Sequence, residues 1–552
     1  MVSIRKSFGW MSLVVAMLAG PAHAATGTIS SNASTLVVPS GQAATTVVSW
    51  STSGASKAQV WVSTDDMGDT LFAEGATGSK SASILPGRAY KFTLFDGTAH
   101  TIPLANALAL GVAPSGGTIT STPFVVRAPY GGTGTAALKW ATQGFSTSEV
   151  WLSTDGGPEQ LFARAVSGSQ SAPWIQPGHD YRFNVYAGTS HSQMLDSVRV
   201  YGDLSYEVGV NYHATGSDFY TSAFLTRYHL AGVRSTVRSQ LQNLANRGAS
   251  VIKHSIWMVT SPGNPDYGEV WRSHFPISSQ ETANLRTFAQ DVANTRAQDG
   301  RRLKLDLTLL WLGVADFQRG TPSTGLGYEN LSAAEFTSRT NQTVSSVVNA
   351  VKDVLRPDQR RVVETIYFNG EVMVGVRPNE KWFLTTHYPG FHQLVRNAGM
   401  QPSLYFFALS SEADVLKNSF VDSAYPVLNG HRSMYWIYRS LLFMRNSGLP
   451  LPQRIDFSCY PQRSSASYST LVKRIFDDAD ATLSTLGLAR RYSAAETYYP
   501  TSNTDREALG SAFGAQRLVN NRLESTVFWT TPDGGGTGIN AAYPLEVEDY
   551  WP

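Results

Sequence analysis

The sequence predicts a multidomain protein in which a C-terminal (β/α)₈ barrel follows two all-β sandwiches. Three observations lead to this prediction. The chain has 552 residues, which is too long for one ordinary domain. Its first part contains an internal repeat, and its second part alternates apolar strands with helical stretches. We predict a signal peptide at 1–24, sandwiches at 25–113 and 114–204, and the barrel at 205–552.

The first 24 residues have the pattern of a secretory signal peptide. Arg5 and Lys6 precede the apolar run FGWMSLVVAMLAG, and the small residues of PAHA predict cleavage after Ala24. The run is too short for a good membrane span, and no later segment qualifies as one. We therefore expect a secreted or periplasmic protein with no transmembrane segment after cleavage, and an uncleaved membrane anchor is the alternative. With one cysteine, Cys459, the chain is expected to fold without an intramolecular disulfide.

Composition bears on the partners and cofactors to be expected. The 44 Lys and Arg residues nearly balance the 42 Asp and Glu residues, and the formal net charge is +2. This balance gives no indication of a nucleic-acid partner. The 11 histidines and Cys459 match no zinc-ligand spacing. We therefore expect a monomer that needs no metal and no organic cofactor.

The internal repeat has an offset of about 90 residues, which is the size of one small β-sandwich. Short alternating runs rich in Val, Thr, Trp and Tyr, separated by Gly, Ser and Asp turns, predict strands within each copy. Each copy is interpreted as an immunoglobulin- or fibronectin-type sandwich without the inter-sheet disulfide. The matching segments are GTIS at Gly27 and GTIT at Gly117, VWVSTDD at Val60 and VWLSTDG at Val150, and PGRAYKF at Pro86 and PGHDYRF at Pro177. Core packing is expected, with a sugar-binding platform as the alternative, for Trp50, Trp61, Tyr90, Trp140, Trp151 and Tyr181.

Eight apolar strands, most of them separated by helical stretches, follow the repeat. This number and alternation are what a (β/α)₈ barrel requires. A doubly wound open sheet is the competing fold, but it favours a glycine-rich phosphate loop after the first strand, which NYHATGSD does not supply. The predicted strands are VGVNYH at Val208, SVIKHSIWM at Ser250, LKLDLTLLWL at Leu303, VVETIYFN at Val362, SLYFFAL at Ser403, RIDFSCY at Arg454, RRYSAAE at Arg490 and STVFWTT at Ser525.

Two carboxylates are predicted at the C-terminal strand ends, where barrels of this kind carry their chemistry. Glu371 follows the fourth strand, and Glu496 ends the seventh. Glycosidic cleavage uses such a pair, with one group protonating the leaving oxygen and the other attacking the anomeric carbon. Asp306, within the third strand, is expected to pair with a neighbouring lysine. The candidate substrate-binding residues are Asn211, His213, Lys253, His254, Trp257, Trp311, Asn369, Tyr460, Tyr498 and Trp529.

The barrel region resembles the retaining glycoside hydrolases of clan A, which include the family 5 and family 39 enzymes. The resemblance rests on YFNGEV, AAETYYP and the second-strand segment LQNLANRGASVIKHSIW. It implies that Glu371 is the acid/base and Glu496 the nucleophile. It also implies that Tyr460 contacts the nucleophile and that Trp529 forms part of the substrate floor.

Two positions depart from the pattern of the clan. Gly370 separates Asn369 from Glu371, where the clan has asparagine and glutamate adjacent. Lys253 stands where an arginine is usual, and lysine lacks the planar fork of arginine. The hydrogen bonding near the nucleophile is therefore expected to differ.

The function predicted from these features is polysaccharide degradation by a secreted glycoside hydrolase. It would cleave β-glycosidic bonds in a polysaccharide or oligosaccharide, in an endo-acting manner, by retaining double displacement. Such a mechanism requires carboxyl groups about 5–5.5 Å apart. The alternative is a catalytically silent barrel that binds an exopolysaccharide during assembly, export or adhesion, since such a barrel would tolerate the inserted Gly370. A third reading makes the sandwiches the working part of an adhesive surface module.

Overall fold

The computed structural model describes most of the chain after the predicted signal peptide. His213 and Tyr498 lie outside the described residues, as does all of 1–24. The described ranges are 25–38, 42–55, 57–98, 102–112, 116–143, 145–212, 224–259, 272–311, 328, 331–376, 379–497, 503–519 and 522–529.

The first part of the chain forms four largely antiparallel sheets. In the first repeat the strand orders are β1-β3-β6 and β2-β8-β7-β4-β5, and in the second they are β9-β11-β14 and β10-β16-β15-β12-β13. Each order of the second repeat is that of the first shifted by eight strands, so the sequence repeat is also a structural repeat. The strands are β1 Thr26–Ser31, β2 Thr35–Val37, β3 Ala44–Ser53, β4 Ala58–Thr64, β5 Asp69–Glu74, β6 Thr77–Ile84, β7 Ala89–Asp96, β8 Ile102–Val112, β9 Gly117–Thr122, β10 Val125–Ala128, β11 Gly134–Thr142, β12 Ser148–Thr154, β13 Gln160–Arg164, β14 Ser167–Ile175, β15 Asp180–Ala187 and β16 Met194–Leu204.

Each repeat closes its two sheets over a core that contains an equivalent tryptophan. Trp50 and Trp140 are 6% and 4% exposed. A glycine of the neighbouring strand lies against each ring, and a Cβ atom there would come within 2.6 Å of the Trp50 ring at Gly78 and 2.5 Å of the Trp140 ring at Gly168. These two tryptophans therefore pack inside the sheets. The immunoglobulin or fibronectin assignment and the domain boundaries stay predictions.

The second part of the chain forms a nearly closed sheet of parallel strands. Its order is β22-β21-β20-β18-β17-β26-β25-β24-β23, and β19 pairs at the edge of β18. The strands β22 and β23 are the two halves of the fifth predicted strand, interrupted at Leu404, so the sheet returns on itself there. All eight predicted barrel strands have a counterpart. The strands are β17 Glu207–Asn211, β18 Val251–Val259, β19 Arg272–His274, β20 Lys304–Leu310, β21 Val363–Phe368, β22 Gln401–Ser403, β23 Tyr405–Phe407, β24 Ile455–Ser458, β25 Tyr492–Thr497 and β26 Leu523–Trp529.

Helices connect most of the parallel strands and bury their apolar faces against the sheet. Local signals start several of them: the Ser278 hydroxyl accepts a hydrogen bond from the backbone of Glu281, whose side chain bonds back to Ser278, forming a capping box. Ser332 and Ser467 cap two later helices. The helices are α1 Phe224–Arg227, α2 Ala231–Asn246, α3 Ser279–Asn294, α4 Ala333–Val351, α5 Glu380–Asn397, α6 Glu412–Val415, α7 Tyr435–Asn446, α8 Tyr468–Leu483 and α9 Asn503–Arg517, with 3₁₀ turns at Pro426–Leu428, Arg432–Met434 and Ser484–Leu486.

No helix in the described part of the chain combines the length and apolar character that a membrane crossing requires.

The sandwiches pack against the N-terminal end of the barrel. The Asp203 carboxylate, at the end of the second repeat, lies 3.2 Å from Lys304 Nζ and 2.9 Å from an Arg360 nitrogen of the barrel. Burial alone would raise the pKa of Asp203, but these cations hold it well below its usual range. From the first repeat, the Trp61 ring lies 4.0 Å from the Arg396 guanidinium, a cation–π contact. The opposite, C-terminal end of the barrel holds the strand ends that the sequence singled out.

Candidate active site

A bulge in β25 turns Glu496 toward the barrel interior. Two residues of β25 face one residue of β24 at this point, so the alternation of side chains along the strand is broken. As a result Ala495 packs beside Tyr405 in a small internal cluster, and Glu496 also faces inward. Glu496 is 3% exposed, and its Oε1 accepts a hydrogen bond of 3.4 Å from Asn211 Nδ2. The bulge thus brings a buried carboxylate to the end of the seventh barrel strand.

Tyr405 is the second partner of Glu496. Burial raises the pKa of Tyr405 well above its usual range, and the negative charges of Glu496 and Glu371 and a hydrogen bond to Glu496 act in the same direction. The phenol therefore stays protonated and donates to the carboxylate. The resemblance assigned such a contact to Tyr460, which is half-buried and near enough to Tyr405 to raise its pKa further. Sequence reasoning missed Tyr405. It is two residues after Ser403 in the fifth strand, and residues two apart in a strand point to the same face, which is a signal for an inward side chain.

Lys253 supports the backbone next to Glu496. Its side chain is fully buried, and Nζ donates a hydrogen bond of 2.7 Å to the carbonyl oxygen of Ala495, the bulged residue. Nζ also lies 3.7 Å from the ring centroid of Tyr405 and 5.1 Å from that of Tyr367. Burial lowers the pKa of Lys253, while Glu496 is the largest of the carboxylates that raise it. The ammonium group thus positions the bulge and supplies positive charge near Glu496.

Glu371 sits on a tight turn after the fourth barrel strand. Asn369 and Glu371 have φ angles of 70° and 50°, a left-handed region that side-chain-bearing residues rarely adopt. Gly370 between them lies against Tyr405, since a Cβ there would come within 2.3 Å of the phenol oxygen. The glycine therefore lets the turn approach Tyr405. Glu371 is half-buried, and its charge acts on both Tyr405 and Lys253, as that of Glu496 does.

Replacing Gly370 with alanine should disturb the site and the fold together. The added methyl group collides with Tyr405, and we expect a loss of about 1–3 kcal/mol in the free energy of unfolding, as for other overpacked sites. Urea denaturation measures this loss. Gly232→Ala in α2 is the control: nothing lies within 4 Å of a Cβ there, so this variant should be as stable as wild type or more stable, by up to about 1 kcal/mol. An alanine at 370 that unfolds at the same urea concentration as wild type would contradict the close approach.

Asn369 joins the ends of the third and fourth barrel strands. Its side-chain Oδ1 accepts a hydrogen bond of 3.3 Å from the backbone N of Trp311. Its Nδ2 is buried, and the described residues supply it with no hydrogen-bond partner. Buried donors are rarely left unsatisfied, so this amide is suited to a ligand oxygen. Trp257 is half-buried and lies on the same side of β18 as Lys253, four residues further along the strand.

Two predicted substrate contacts lie among the core side chains instead. His254 follows Lys253 in the strand, so its side chain points to the opposite face, toward the helices. Its Nδ1 lies 3.3 Å from the Tyr212 carbonyl oxygen, and its ring centroid is 5.6 Å from that of Phe288. Burial lowers the pKa of His254 to about 4, which leaves it neutral. Trp311 is fully buried against Phe368 and Phe383, at centroid distances of 4.9 and 5.3 Å.

The remaining site predictions concern the other strand ends. The backbone of Trp529 pairs with Asn211 in the sheet, and nothing is described of the Trp529 side chain. Cys459, adjacent to Tyr460, is buried in the barrel core, and burial raises the pKa of its thiol. In the described part of the chain no group of three or more His, Cys, Asp and Glu side chains is arranged to hold a metal ion.

A polar layer lies inside the barrel below the site. Asp306 is adjacent to Lys253 in the sheet register, and Arg454 forms an ion pair of 2.7 Å with Asp456. Burial raises the pKa of Asp306 to about 7, while Arg454 opposes the shift. Asp306 is therefore protonated below neutrality in the folded protein.

Asp306 should make the folded protein less stable as pH rises. Its pKa is higher in the folded state than the unfolded value of about 3.9, so the folded state holds more protons between these values and loses stability up to about pH 7. Asp306→Asn removes this dependence. We expect the variant to be more stable relative to wild type at pH 8 than at pH 5, by about 1–3 kcal/mol in chemical denaturation. The exposed Asp353→Asn is the control, and a pH-independent difference for the Asp306 variant would contradict the assignment.

Comparisons with known proteins identify no family. No protein-family model and no curated protein matches the chain. Among solved structures it is similar to the Ruminococcus gnavus beta-glucuronidase, over 91% of this chain and 81% of that one, at 9% identity and a TM-score of 0.28. The complex of that enzyme with uronic isofagomine gives 9% identity, coverage of 91% and 80%, and a TM-score of 0.27. Fibronectin(III)-like modules of Clostridium thermocellum CbhA match 32% of this chain and 95% of theirs, at 16% identity and a TM-score of 0.14. Nothing about fold or function follows from TM-scores this low.

Proposed function

We propose that this protein is a retaining β-glycosidase of the clan A type that cleaves a polysaccharide or oligosaccharide. One observation carries the proposal. Glu371 and Glu496 come from the fourth and seventh barrel strands, lie at the same end of the barrel, and both act electrostatically on Tyr405 and Lys253. Two carboxylates that share one polar cluster meet the first requirement of glycoside hydrolysis. The resemblance to clan A in the same two segments supports the assignment of their roles.

In the proposed mechanism Glu496 is the nucleophile and Glu371 the acid/base. The Glu496 carboxylate attacks the anomeric carbon and forms a glycosyl ester, while the glycosidic C–O bond breaks and Glu371 donates its proton to the leaving oxygen. Glu371 then accepts a proton from water, which attacks the same carbon, and the ester bond breaks to restore Glu496. Hydrogen bonds from Asn211 and Tyr405 stabilise and orient the nucleophile. No metal or organic cofactor enters these steps.

Further substrate contacts are proposed for residues at the C-terminal strand ends. Trp257 and Trp529 would stack on sugar rings, and the Asn369 amide would donate to a sugar hydroxyl. Tyr460, which acts electrostatically on Tyr405, would contact the nucleophile as the resemblance to clan A implies. We further propose endo-action, export directed by the N-terminal segment, and a role for the two sandwiches as spacers or carbohydrate-contact modules.

Product release from a panel of β-glucans, β-mannans, xylan and bacterial exopolysaccharides tests the proposal. Reducing-end assays would detect cleavage, and NMR of the first product would report its anomeric configuration, which we expect to be β. An α product would overturn the retaining mechanism. Retention on a glycan column without product from any substrate would favour the catalytically silent binding barrel.

A further inference from the structure

A cavity of about 820 Å³ lies where both sandwiches meet the N-terminal end of the barrel. Its wall includes the loop between β4 and β5, parts of β7 and β8, strand β10 and the segments that precede several barrel strands. This volume is within the range of small-molecule sites. The cavity opens at the end of the barrel opposite Glu371 and Glu496, so it is separate from the candidate active site.

Cationic side chains outnumber carboxylates in the wall of this cavity, six to four. Four carboxylates also line it, but two of them are already neutralised: Asp203 bonds to Arg360 and Lys304, and Glu364 lies 3.3 Å from Lys304 Nζ. Lys304 is not one of the wall residues, so it neutralises these two carboxylates from outside the cavity. The cationic wall residues are Lys91, Arg127, Arg360, Arg361, Arg396 and Arg491.

Two of these guanidinium groups have no carboxylate partner. Arg127 is exposed to the cavity, and the described residues offer it neither a hydrogen bond nor an ion pair. Burial lowers the pKa of Arg127, but the carboxylates of Asp203, Glu524, Glu207 and Glu364 together raise it above its usual range, so the group keeps its charge. Arg361 donates to the carbonyl oxygen of Lys352 and forms no ion pair in the described part of the chain. A guanidinium that no carboxylate contacts directly keeps N–H donors available for a ligand.

We propose that this cavity binds a ligand that carries an oxyanion, with Arg127 and Arg361 as the contacting groups. A carboxylate, sulfate or phosphate fits the forked geometry of a guanidinium. The uncharged polar wall, which includes Thr93, Asn106 and Gln401, provides further hydrogen bonds. The cavity is large enough for an anionic oligosaccharide as well as for a free inorganic oxyanion. In both cases the arginines would bind the negatively charged oxygen atoms. The site does not depend on the proposed glycosidase activity.

Isothermal titration of the full-length mature chain at low salt tests this site. The probes are inorganic phosphate, sulfate and a trigalacturonate. We expect one-to-one binding of at least one probe, weakened at least tenfold by Arg127→Gln and by Arg361→Gln. Arg286→Gln is the matched control, because this arginine is exposed on α3 away from the cavity, and its variant should bind as wild type does.

The outcomes separate the two ligand sources. Tighter binding of the trisaccharide than of both inorganic ions identifies a saccharide carboxylate, and the reverse identifies a free oxyanion; both support the site. Absence of binding to all three probes overturns it, as does binding that neither arginine variant weakens. If circular dichroism shows that one variant is unfolded, the other decides. Failure here leaves the glycan-cleavage assay unaffected, so the two proposals are judged independently.

Discussion

Glu496→Gln should reduce product release by about 10⁴-fold or more on every glycan that the wild-type protein cleaves. The amide has nearly the same shape as the carboxylate, and its oxygen can still accept hydrogen bonds from Asn211 and Tyr405. It cannot form the glycosyl ester, because the neutral amide is a poor nucleophile. The expected result is therefore a folded protein that binds substrate and releases no product.

The assay compares wild type, the Glu496 variant and Glu335→Gln on the same polysaccharide. Glu335 is the matched control, since it is an exposed residue whose ion pair with Arg339 lies within one helix turn of α4. Such surface pairs contribute little, and the control should keep full activity. Equal melting temperatures would show that the loss is chemical. A glutamine variant with half of wild-type activity would remove Glu496 from the mechanism.

Azide gives a second readout of the same role. In Glu496→Ala the vacated space admits azide, which would attack the anomeric carbon directly and yield an α-glycosyl azide from a β-glycoside. The same ion added to Glu371→Ala would instead attack the glycosyl ester on Glu496 and yield the β-glycosyl azide. Opposite product configurations would therefore assign the two carboxylates separately.

The barrel could be predicted from the sequence because its signals are local. Each strand is a short apolar run bounded by polar or helical segments, and all eight runs correspond to strands in the structure. Serine caps at Ser278, Ser332 and Ser467 likewise mark helix starts directly. The interruption of the fifth strand at Leu404 has no such signal, since it depends on how β22 and β23 pair with different neighbours.

The side-chain directions near the site depend on long-range pairing. A simple alternation along AAET would not place both Ala495 and Glu496 inside the barrel, and the bulge that does so is defined by the partner strand β24. His254 and Trp311 were predicted to contact substrate because they lie near strand ends. Both side chains point into the core instead. Gly370 read as an irregular insertion in the sequence. Its role emerges only with Tyr405, which is 35 residues away in the chain and packs against it.

The cavity between the sandwiches and the barrel was also beyond sequence reasoning. Arg127 lies in the second sandwich and Arg361 in the barrel, and neither belongs to a motif. Their common location results from packing of the repeats on the N-terminal barrel end. The repeat itself offers a hint, because Trp61 contacts Arg396 whereas its counterpart Trp151 stacks on His191 of its own sandwich, at 4.2 Å. Equivalent positions in the two copies therefore have different neighbours.

Glu371→Gln should have an effect that depends on the leaving group. Cleavage of a polysaccharide requires a proton on the leaving oxygen, so we expect a loss of about 10²–10⁴-fold there, the usual contribution of a general acid. A dinitrophenyl glycoside leaves as a stable phenolate without a proton. Formation of the glycosyl ester from it should remain near the wild-type rate, and a burst of dinitrophenolate followed by slow turnover should appear, because the second step lacks its base.

Stopped-flow absorbance on the aryl glycoside and reducing-end assays on the polysaccharide measure the two effects side by side. Glu335→Gln is again the control and should show neither. If the Glu371 variant lost the same factor on both substrates, its carboxylate would act by holding the turn with Asn369 rather than by transferring a proton. The left-handed φ angles of Asn369 and Glu371 are the physical basis of this alternative, because a strained turn is sensitive to changes in its side chains. Wild-type activity on both substrates would instead remove Glu371 from the reaction altogether, and with it the glycosidase proposal.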